Sequence, residues 1–277
     1  MKELKGKVAA VTGAASGLGR AMALAFADEG MDVALGDVAD TSDTFAQVER
    51  RGVSALSMKL DVSNAREVEA FAELIDRELG GAQLVCNNAG VSPLGAAWEM
   101  SHGDWQWILG VNLWGVIHGV RAFVPRLLAR NDGHVVNTAS VAGLISPPGT
   151  AAYNVSKHAV VALSETLYHD LRERGAAVGV SVLCPAYVPT GIADSERNRP
   201  AGVEPTVKTK ETLAREAMLR KAVSSGRLSA DDVARAVVQA VKEERFYVLT
   251  HPRIKGAIRA RMEDILEERA PRNPMAL

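Results

Sequence analysis

The stretch Thr12-Gly13-Ala14-Ala15-Ser16-Gly17-Leu18-Gly19 follows a short apolar run at residues 7–11 and leads into a helical pattern at residues 18–29. Glycines suit such a turn because the backbone must bend sharply and approach a pyrophosphate closely. The free N–H groups and the dipole of the next helix then face that anion. The stretch is typical of a dinucleotide-binding turn, although ordinary turn and capping glycines would give the same string.

Short apolar runs and longer helical patterns alternate on either side of this turn, which is typical of βαβ units and a mostly parallel sheet. The predicted strands are residues 7–11, 32–35, 55–60, 83–86, 134–137, 178–183 and 246–249. The predicted helices are residues 18–29, 41–51, 64–79, 104–129, 152–172, 229–243 and a last one between 252 and 269. Between these elements, periodicity is lost from residue 191 to residue 228. The pattern predicts an α/β fold: one doubly wound Rossmann-type parallel sheet of about seven strands, with helices on both faces.

The length, charge and cysteine content of the chain limit the classes of protein to which it can belong. The chain has 277 residues, 47% of them apolar, which is enough to bury a core without crosslinks. Its 32 basic and 33 acidic residues leave no global field that would draw it to nucleic acid or to a membrane. Cys86 and Cys184 each stand in an apolar run, which indicates reduced thiols and no metal site. We expect a cytoplasmic protein with one domain over residues 1–277, including an inserted segment at 191–228 and a C-terminal extension at 251–277.

Asp37 lies just beyond the second predicted strand, close to the spacing of about 20 residues after the glycines at which an acid contacts an adenine ribose. A carboxylate there would repel the 2′-phosphate of NADP. Ser16 and Val38, where a phosphate-binding cation is expected, carry no charge. This pattern favours NAD over NADP, and a solvated loop acid is the alternative.

Tyr153 and Lys157 stand four residues apart at the start of a helical pattern, so their side chains share one face. A lysine charge about 4 Å from the phenol is worth roughly 4 kcal/mol, which predicts a tyrosine pKa lowered by about three units. Ser140 follows a predicted strand and could hydrogen-bond a substrate oxygen. Asn112 lies within a predicted helix, where asparagine has poor propensity and needs a structural reason. Each residue alone also fits packing, a turn or a kink.

Together these residues resemble the short-chain dehydrogenase/reductase family. The shared motifs, in the family's order and approximate spacing, are Thr12-Gly13-x-x-x-Gly17-x-Gly19, Asn87-Asn88-Ala89-Gly90, Asn112, Ser140, Tyr153-x-x-x-Lys157 and Pro185-x-x-Val188-x-Thr190. The resemblance covers residues 5–190 and, more loosely, 229–249. One position departs from the family pattern, since Ala186 stands where the family usually has glycine.

The resemblance implies a role for each matching residue. Tyr153 would be the general acid and base, and Lys157 would hold the nicotinamide ribose and lower the pKa of Tyr153. Ser140 would orient the reacting oxygen, and Asn112 would support a proton relay through water. The residues implied to hold NAD are Gly13, Ser16, Gly17, Leu18, Gly19, Asp37, Val38, Asp61, Val62, Asn88, Ala89, Gly90, Tyr153, Lys157, Pro185, Val188 and Thr190.

In the family, the region at residues 191–228 is a lid over the substrate. Here it is basic, so either one of its cations receives a substrate carboxylate or phosphate, or its charges form a solvated surface. The residues expected to wall a pocket for a bulky, ring-bearing substrate are Leu94, Leu144, Pro147, Tyr187 and Ile192. Residues 192–200 and 246–252 resemble the branch that includes dehydrogenases of lignin-type aryl-ether alcohols.

The resemblance implies hydride transfer between NAD and a small-molecule secondary alcohol or ketone. Two alternatives stay open: an epimerase or dehydratase that uses NAD transiently, and a non-catalytic dinucleotide-sensing protein. The helix predicted at 104–129 is apolar on nearly all sides. Family members pair this helix and the one at 152–172 across an interface, which implies a homodimer or homotetramer; a thick core without a partner is the alternative.

Overall fold

The computed structural model describes residues 1–276 and contains seven strands. They are β1 (Val8–Thr12), β2 (Asp32–Asp37), β3 (Ala55–Lys59), β4 (Leu84–Asn87), β5 (Gly133–Thr138), β6 (Val178–Leu183) and β7 (Tyr247–Val248). All neighbours pair in parallel in the order β3-β2-β1-β4-β5-β6-β7. The order reverses between β1 and β4, so a crevice opens beyond their carboxyl ends. Leu277, the last residue of the predicted C-terminal extension, lies outside the described residues.

Helices cover both faces of the sheet. They are α1 (Gly17–Asp28), α2 (Ser42–Glu49), α3 (Ala65–Leu79), α4 (His102–Leu109), α5 (Gly115–Arg130), α6 (Ala151–Glu173), α7 (Lys210–Ser224), α8 (Ala230–Glu243) and α9 (Ile254–Leu266). Alternate residues of β1 point to opposite faces: Ala9 and Val11 pack with α1 and α8, whereas Val8 and Ala10 pack with α3, α5 and α6. The predicted doubly wound sheet is therefore confirmed.

A π-helical turn joins α4 to α5. The sequence pattern predicted one regular helix at 104–129, but residues Gly110–Trp114 form a wider turn within it. This turn holds Asn112 fully inside the protein, at 0% exposure. By length and composition the 29-residue helix His102–Arg130 would suffice to cross a membrane, and half of its most apolar stretch is buried within the fold. Such burial is ordinary for a core helix.

The segment at 191–228 is more regular than the sequence pattern predicted. It begins with a 3₁₀ segment at Gly191–Asn198 and contains the 15-residue helix α7. The side chain of Thr209 caps α7 by accepting a hydrogen bond from the Thr212 amide at 3.2 Å. Charged residues on most of its turns hide the helical period, which is why this helix was missed.

A buried ion pair ties the predicted lid to α4. Arg199 Nη1 lies 2.6 Å from Asp104 Oδ1, and the guanidinium stacks 4.6 Å from the Trp107 ring. The Thr206 amide donates to the other carboxylate oxygen at 3.0 Å. Burial alone would raise the pKa of Asp104, but the hydrogen bonds from Thr206 and Arg199 outweigh it and lower that pKa. The carboxylate therefore stays ionised at the base of the lid.

Replacing Asp104 with alanine is expected to destabilise the protein by about 1–3 kcal/mol, because the Arg199 Nη1 and Thr206 amide donors lose their buried acceptor, whereas Glu196, 2.7 Å from Arg199 Nε, still pairs with the guanidinium. Urea unfolding measures this loss. The matched control is Asp132→Ala, which breaks the partly exposed pair with Lys7 (2.7 Å) and should cost less than about 1 kcal/mol. Equal losses for the two variants would contradict an anchoring role of Asp104.

Candidate active site

A cavity of about 690 Å³ lies at the carboxyl ends of the strands, where the strand order reverses. Within residues 1–276, five charged side chains line it: Asp37, Asp61, Lys157, Arg197 and Arg215. Asp37 ends β2 and Asp61 follows β3, whereas Arg197 and Arg215 belong to the predicted lid. One end of the cavity is therefore acidic and the other basic.

Hydrogen bonds hold the glycine turn against the residues that follow β4. Thr12 Oγ1 accepts hydrogen bonds from the Asn88 and Ala89 amides at 2.9 and 3.1 Å. Gly13 has a φ of +68°, and a Cβ there would lie 2.9 Å from the Ala89 Cα. Only glycine fits this close approach between two backbone segments. Both segments thus line the same crevice.

The turn leaves the first amides of α1 free toward the cavity. Ser16 is the N-cap residue, its side chain makes no capping hydrogen bond, and the first turn of α1 has no acidic residue. Free amides at a helix N-terminus bind anions well, so this cradle fits a pyrophosphate. We expected Gly19 to bind the cofactor, but this residue does not line the cavity. A Cβ at Gly19 would lie 2.0 Å from the Gly13 carbonyl oxygen, so glycine here allows α1 to pack closely on the turn.

Asp37 lies beside the glycine turn because β1 and β2 pair with Thr12 opposite Gly36. Its carboxylate accepts hydrogen bonds from the Ala15 and Ala39 amides, each at 2.9 Å. The nearby Arg20 is bonded to Asp43 at 2.9 Å and does not line the cavity. The acidic end thus presents a fixed carboxylate, which fits a free ribose hydroxyl better than a phosphate.

Ser140, Tyr153 and Lys157 line the cavity together, as the sequence motifs predicted. Ser140 follows β5, and its Oγ is held by the Ala142 amide at 3.1 Å. Tyr153 and Lys157 share the first turns of α6, with Lys157 Nζ 5.6 Å from the Tyr153 ring centre. Lys157 is 3% exposed, and its Nζ donates to the Thr138 carbonyl at 2.8 Å. A hydroxyl, a phenol and an ammonium therefore converge on one wall.

The lowered pKa that we expected for Tyr153 beside Lys157 is wrong, because burial outweighs the influences that would lower it. Burial raises the pKa of Tyr153, and the neighbouring Ser140 hydroxyl only partly opposes this. Burial also lowers the pKa of Lys157, to about 8. The physical reason is that both groups lose water, while the Lys157 ammonium is bonded to a backbone carbonyl and not to the phenol oxygen.

Asn112 lies beside this wall but does not line the cavity. Its Oδ1 accepts from the Val91 amide at 2.8 Å, and its Nδ2 donates to the Val91 carbonyl at 2.9 Å and to Ser156 Oγ at 3.2 Å. These bonds join the loop after β4, at Val91, to Ser156 on α6. The side chain therefore positions the site, and a proton relay at Asn112 stays a prediction.

Of the predicted cofactor residues, all but Gly19 line the cavity, and of the five predicted substrate residues all but Leu144 do. Leu144 packs instead against a core cluster that includes Val160, Val161 and Val182. Ala186, the departure from the family pattern, also lines the cavity and lies outside the left-handed backbone region, so no glycine is required there. Its amide donates to His251 Nδ1 at 3.2 Å.

Two parts of the wall were missed from the sequence. One is the inner face of α7, formed by Arg215, Met218, Leu219, Ala222 and Val223. The other comes from the C-terminal extension, which contributes Ile254, Pro274 and Met275. Arg272 brings the chain end back to the cavity, since its Nε lies 2.9 Å from the buried Asp264 carboxylate. The spacing of α7 residues by three and four was the available signal, but no sequence pattern indicates the return of the C-terminus.

Comparisons with known proteins agree with this geometry. A family model described as short chain dehydrogenase matches residues 7–201. A crystal structure of a short chain dehydrogenase/reductase from Burkholderia phymatum in complex with NAD is 49% identical, with a TM-score of 0.97 and full coverage of both chains. C alpha-dehydrogenase from Sphingobium sp. strain SYK-6 is 31% identical over 98% of this chain and 89% of its own. The 1-deoxy-11-beta-hydroxypentalenate dehydrogenase of Streptomyces exfoliatus is 34% identical over 95% and 89%.

Proposed function

Because the chain belongs to the short-chain dehydrogenase family, we propose that it is an NAD-dependent oxidoreductase that interconverts a secondary alcohol and its ketone. The observation that carries the proposal is the convergence of Ser140, Tyr153 and Lys157 on the wall of the cavity that also contains the glycine turn. The B. phymatum relative was solved with NAD, and Asp37 supports the same cofactor over NADP here.

In this mechanism the residues of the chain bind, orient and move a proton. When bound, NAD would accept the hydride from the alcohol carbon or return it to the ketone. Ser140 Oγ, held by the Ala142 amide, would hydrogen-bond the reacting oxygen. Tyr153 would take the proton from that oxygen during oxidation and give it back during reduction. Lys157, fixed by the Thr138 carbonyl, would hold the ribose and place its positive charge beside the phenol.

The substrate half of the cavity supports a bulky, ring-bearing alcohol or ketone. Its wall includes the apolar side chains of Leu94, Ile145, Pro147 and Leu219 and the exposed ring of Tyr187. A mostly apolar wall with few polar groups is typical of sites for such ligands.

The test is NADH production from NAD⁺ in a screen of aromatic, alicyclic and aliphatic secondary alcohols, followed at the absorbance of NADH. We expect turnover with ring-bearing alcohols. Conversion without net NADH would instead favour an epimerase or a dehydratase. NADH binding with no conversion of any alcohol or ketone would favour a dinucleotide-sensing protein.

A homodimer or homotetramer belongs to the same proposal. Trp114, at the end of the π-helical turn before α5, and Val155 on α6 are large and apolar, yet they are 52% and 49% exposed. Exposed apolar side chains on the helices that the family pairs support an interface between subunits. Light scattering coupled to gel filtration measures the assembly.

A further inference from the structure

The inner face of α7 carries one cation at the end of an apolar row. Arg215, Met218, Leu219, Ala222 and Val223 recur at intervals of three and four residues, and all line the cavity. The row therefore offers an apolar surface that runs toward a guanidinium. A ligand lying along it would have an apolar body and a polar end.

The cations of the lid differ in what they contact. Lys208 lies 2.6 Å from Glu216, Arg199 is paired with Asp104, and Arg220 is paired with Asp194. In each pair the carboxylate neutralises the positive charge of its partner, either at the surface of the lid or at its base. Arg215 has no hydrogen bond and no carboxylate partner among residues 1–276, although it lines the cavity. Its N–H donors therefore remain available to a ligand.

The position of Arg215 places it near the reacting end of the site. A Cβ at Gly149 would lie 2.1 Å from Arg215 Nη1, so the guanidinium lies directly over the loop that precedes α6. Gly149 has a φ of +77°, and the absence of a side chain makes room for the arginine. Tyr153 follows this loop by four residues. Arg215 and the phenol thus belong to the same half of the cavity, away from Asp37 and Asp61.

Arg197 is the other lid cation that lines the cavity, and its guanidinium already donates hydrogen bonds to backbone carbonyls. Its Nη1 donates to the Gly191 and Asp194 carbonyls at 2.6 and 2.9 Å. Gly191 adjoins Thr190, which lies against Gly17 of the dinucleotide turn. Arg197 is therefore nearer to the part of the cavity expected to hold the cofactor, and Arg215 is the better candidate for the substrate.

We propose that Arg215 binds a carboxylate of the substrate, so that the protein acts on hydroxy or keto acids whose apolar body lies along α7. The proposal rests on the proposed function, because the acid is placed relative to Tyr153 as the reacting group. A guanidinium binds a carboxylate through two parallel hydrogen bonds, which also fixes the orientation of the ligand. The Streptomyces relative supports this class, since its named substrate is a carboxylate.

The test is calorimetric binding of phenylbutyrate and of its uncharged amide, phenylbutyramide, in the presence of NAD. The acid is expected to bind wild type about 2- to 5-fold more tightly than the amide, because Arg215 is an exposed side chain and water weakens a charge pair there. Arg215→Gln should abolish this preference. Lys221→Gln is the matched control, because Lys221 is an exposed cation of the same helix that does not line the cavity. It should keep the preference.

Three results would overturn the carboxylate site: no acid preference in wild type, an equal loss in Lys221→Gln, or a loss in Arg197→Gln with none in Arg215→Gln. The catalytic proposal fails separately. Tyr153→Phe should keep the acid preference, because it removes only a hydroxyl needed for chemistry. An intact preference without turnover of any alcohol refutes the dehydrogenase proposal alone, whereas turnover without a preference refutes the carboxylate site alone.

Discussion

Replacing Tyr153 with phenylalanine is expected to lower kcat for alcohol oxidation and ketone reduction by about 10²- to 10⁴-fold, the contribution of a positioned general acid and base. The phenol lines the cavity beside Ser140 and Lys157, and these two neighbours are poorly suited to exchange a proton with the reacting oxygen. Lys157 is turned to the Thr138 carbonyl and Ser140 is too weakly acidic. Steady-state kinetics measures the loss, and NADH fluorescence should show nearly unchanged cofactor binding.

Tyr168→Phe is the matched control for this change. Tyr168 is on the same helix, but its ring packs 5.2 Å from the Phe246 ring and it does not line the cavity. The same loss of a hydroxyl should therefore leave kcat nearly unchanged. Comparable losses in the two variants, or full activity in Tyr153→Phe, would show that the proton comes from elsewhere.

The pH dependence of the rate of ketone reduction also tests the role of Tyr153, together with that of Lys157. Because burial raises the pKa of Tyr153, the phenol is protonated at neutral pH and ready to donate during ketone reduction. Lys157 has a pKa of about 8, so its positive charge is present below that pH and is lost above it. The rate of reduction should therefore hold steady from pH 6 to about pH 8 and fall above it. A rate of reduction that rises through this range would contradict both assignments.

The fold was predictable because the strands are nearly continuous apolar runs and glycine or asparagine ends most helices. Residues 178–183 were placed to the residue, and Ser229 and Asp232 form a capping box at the start of α8. Such signals are local, and a parallel sheet needs little more than their order. The π-helical turn around Asn112 was not predictable, because its cause is a hydrogen-bond network with Val91, a residue distant in sequence.

The candidate active site was also predictable only in part. The residues near the strand ends were found because their motifs sit on regular elements, whereas the substrate side depends on the lid and on the C-terminus. Leu144 is an example of what the sequence could not predict. It is close to Ser140 in sequence, but that closeness does not reveal whether its side chain faces the cavity or the core. The pKa of Tyr153 was mispredicted because spacing along a helix does not report burial or the Thr138 carbonyl that holds Lys157.

Changing Asp37 to asparagine and Val38 to arginine together is expected to shift the ratio of NADPH to NADH affinity by about 10³-fold toward NADPH. A carboxylate about 4 Å from a phosphate at an effective dielectric of 20 costs up to about 4 kcal/mol, and screening by water reduces it. An arginine that reaches the phosphate adds about 1.5–3 kcal/mol. Asparagine keeps the side-chain oxygen that accepts from one of the Ala15 and Ala39 amides, so the turn should survive.

Fluorescence titration with NADH and NADPH measures both affinities, and wild type should prefer NADH. Asp40→Asn is the matched control, because Asp40 follows β2 closely and is exposed, yet it does not line the cavity. Its loss removes the same formal charge, so an unchanged preference separates local repulsion at Asp37 from the net charge of the protein. Tighter binding of NADPH by wild type would contradict the assignment, since Arg20 is held by Asp43 and no cation among residues 1–276 lines the acidic end of the cavity. We therefore expect the preference of wild type for NADH to depend on the Asp37 carboxylate at the end of β2.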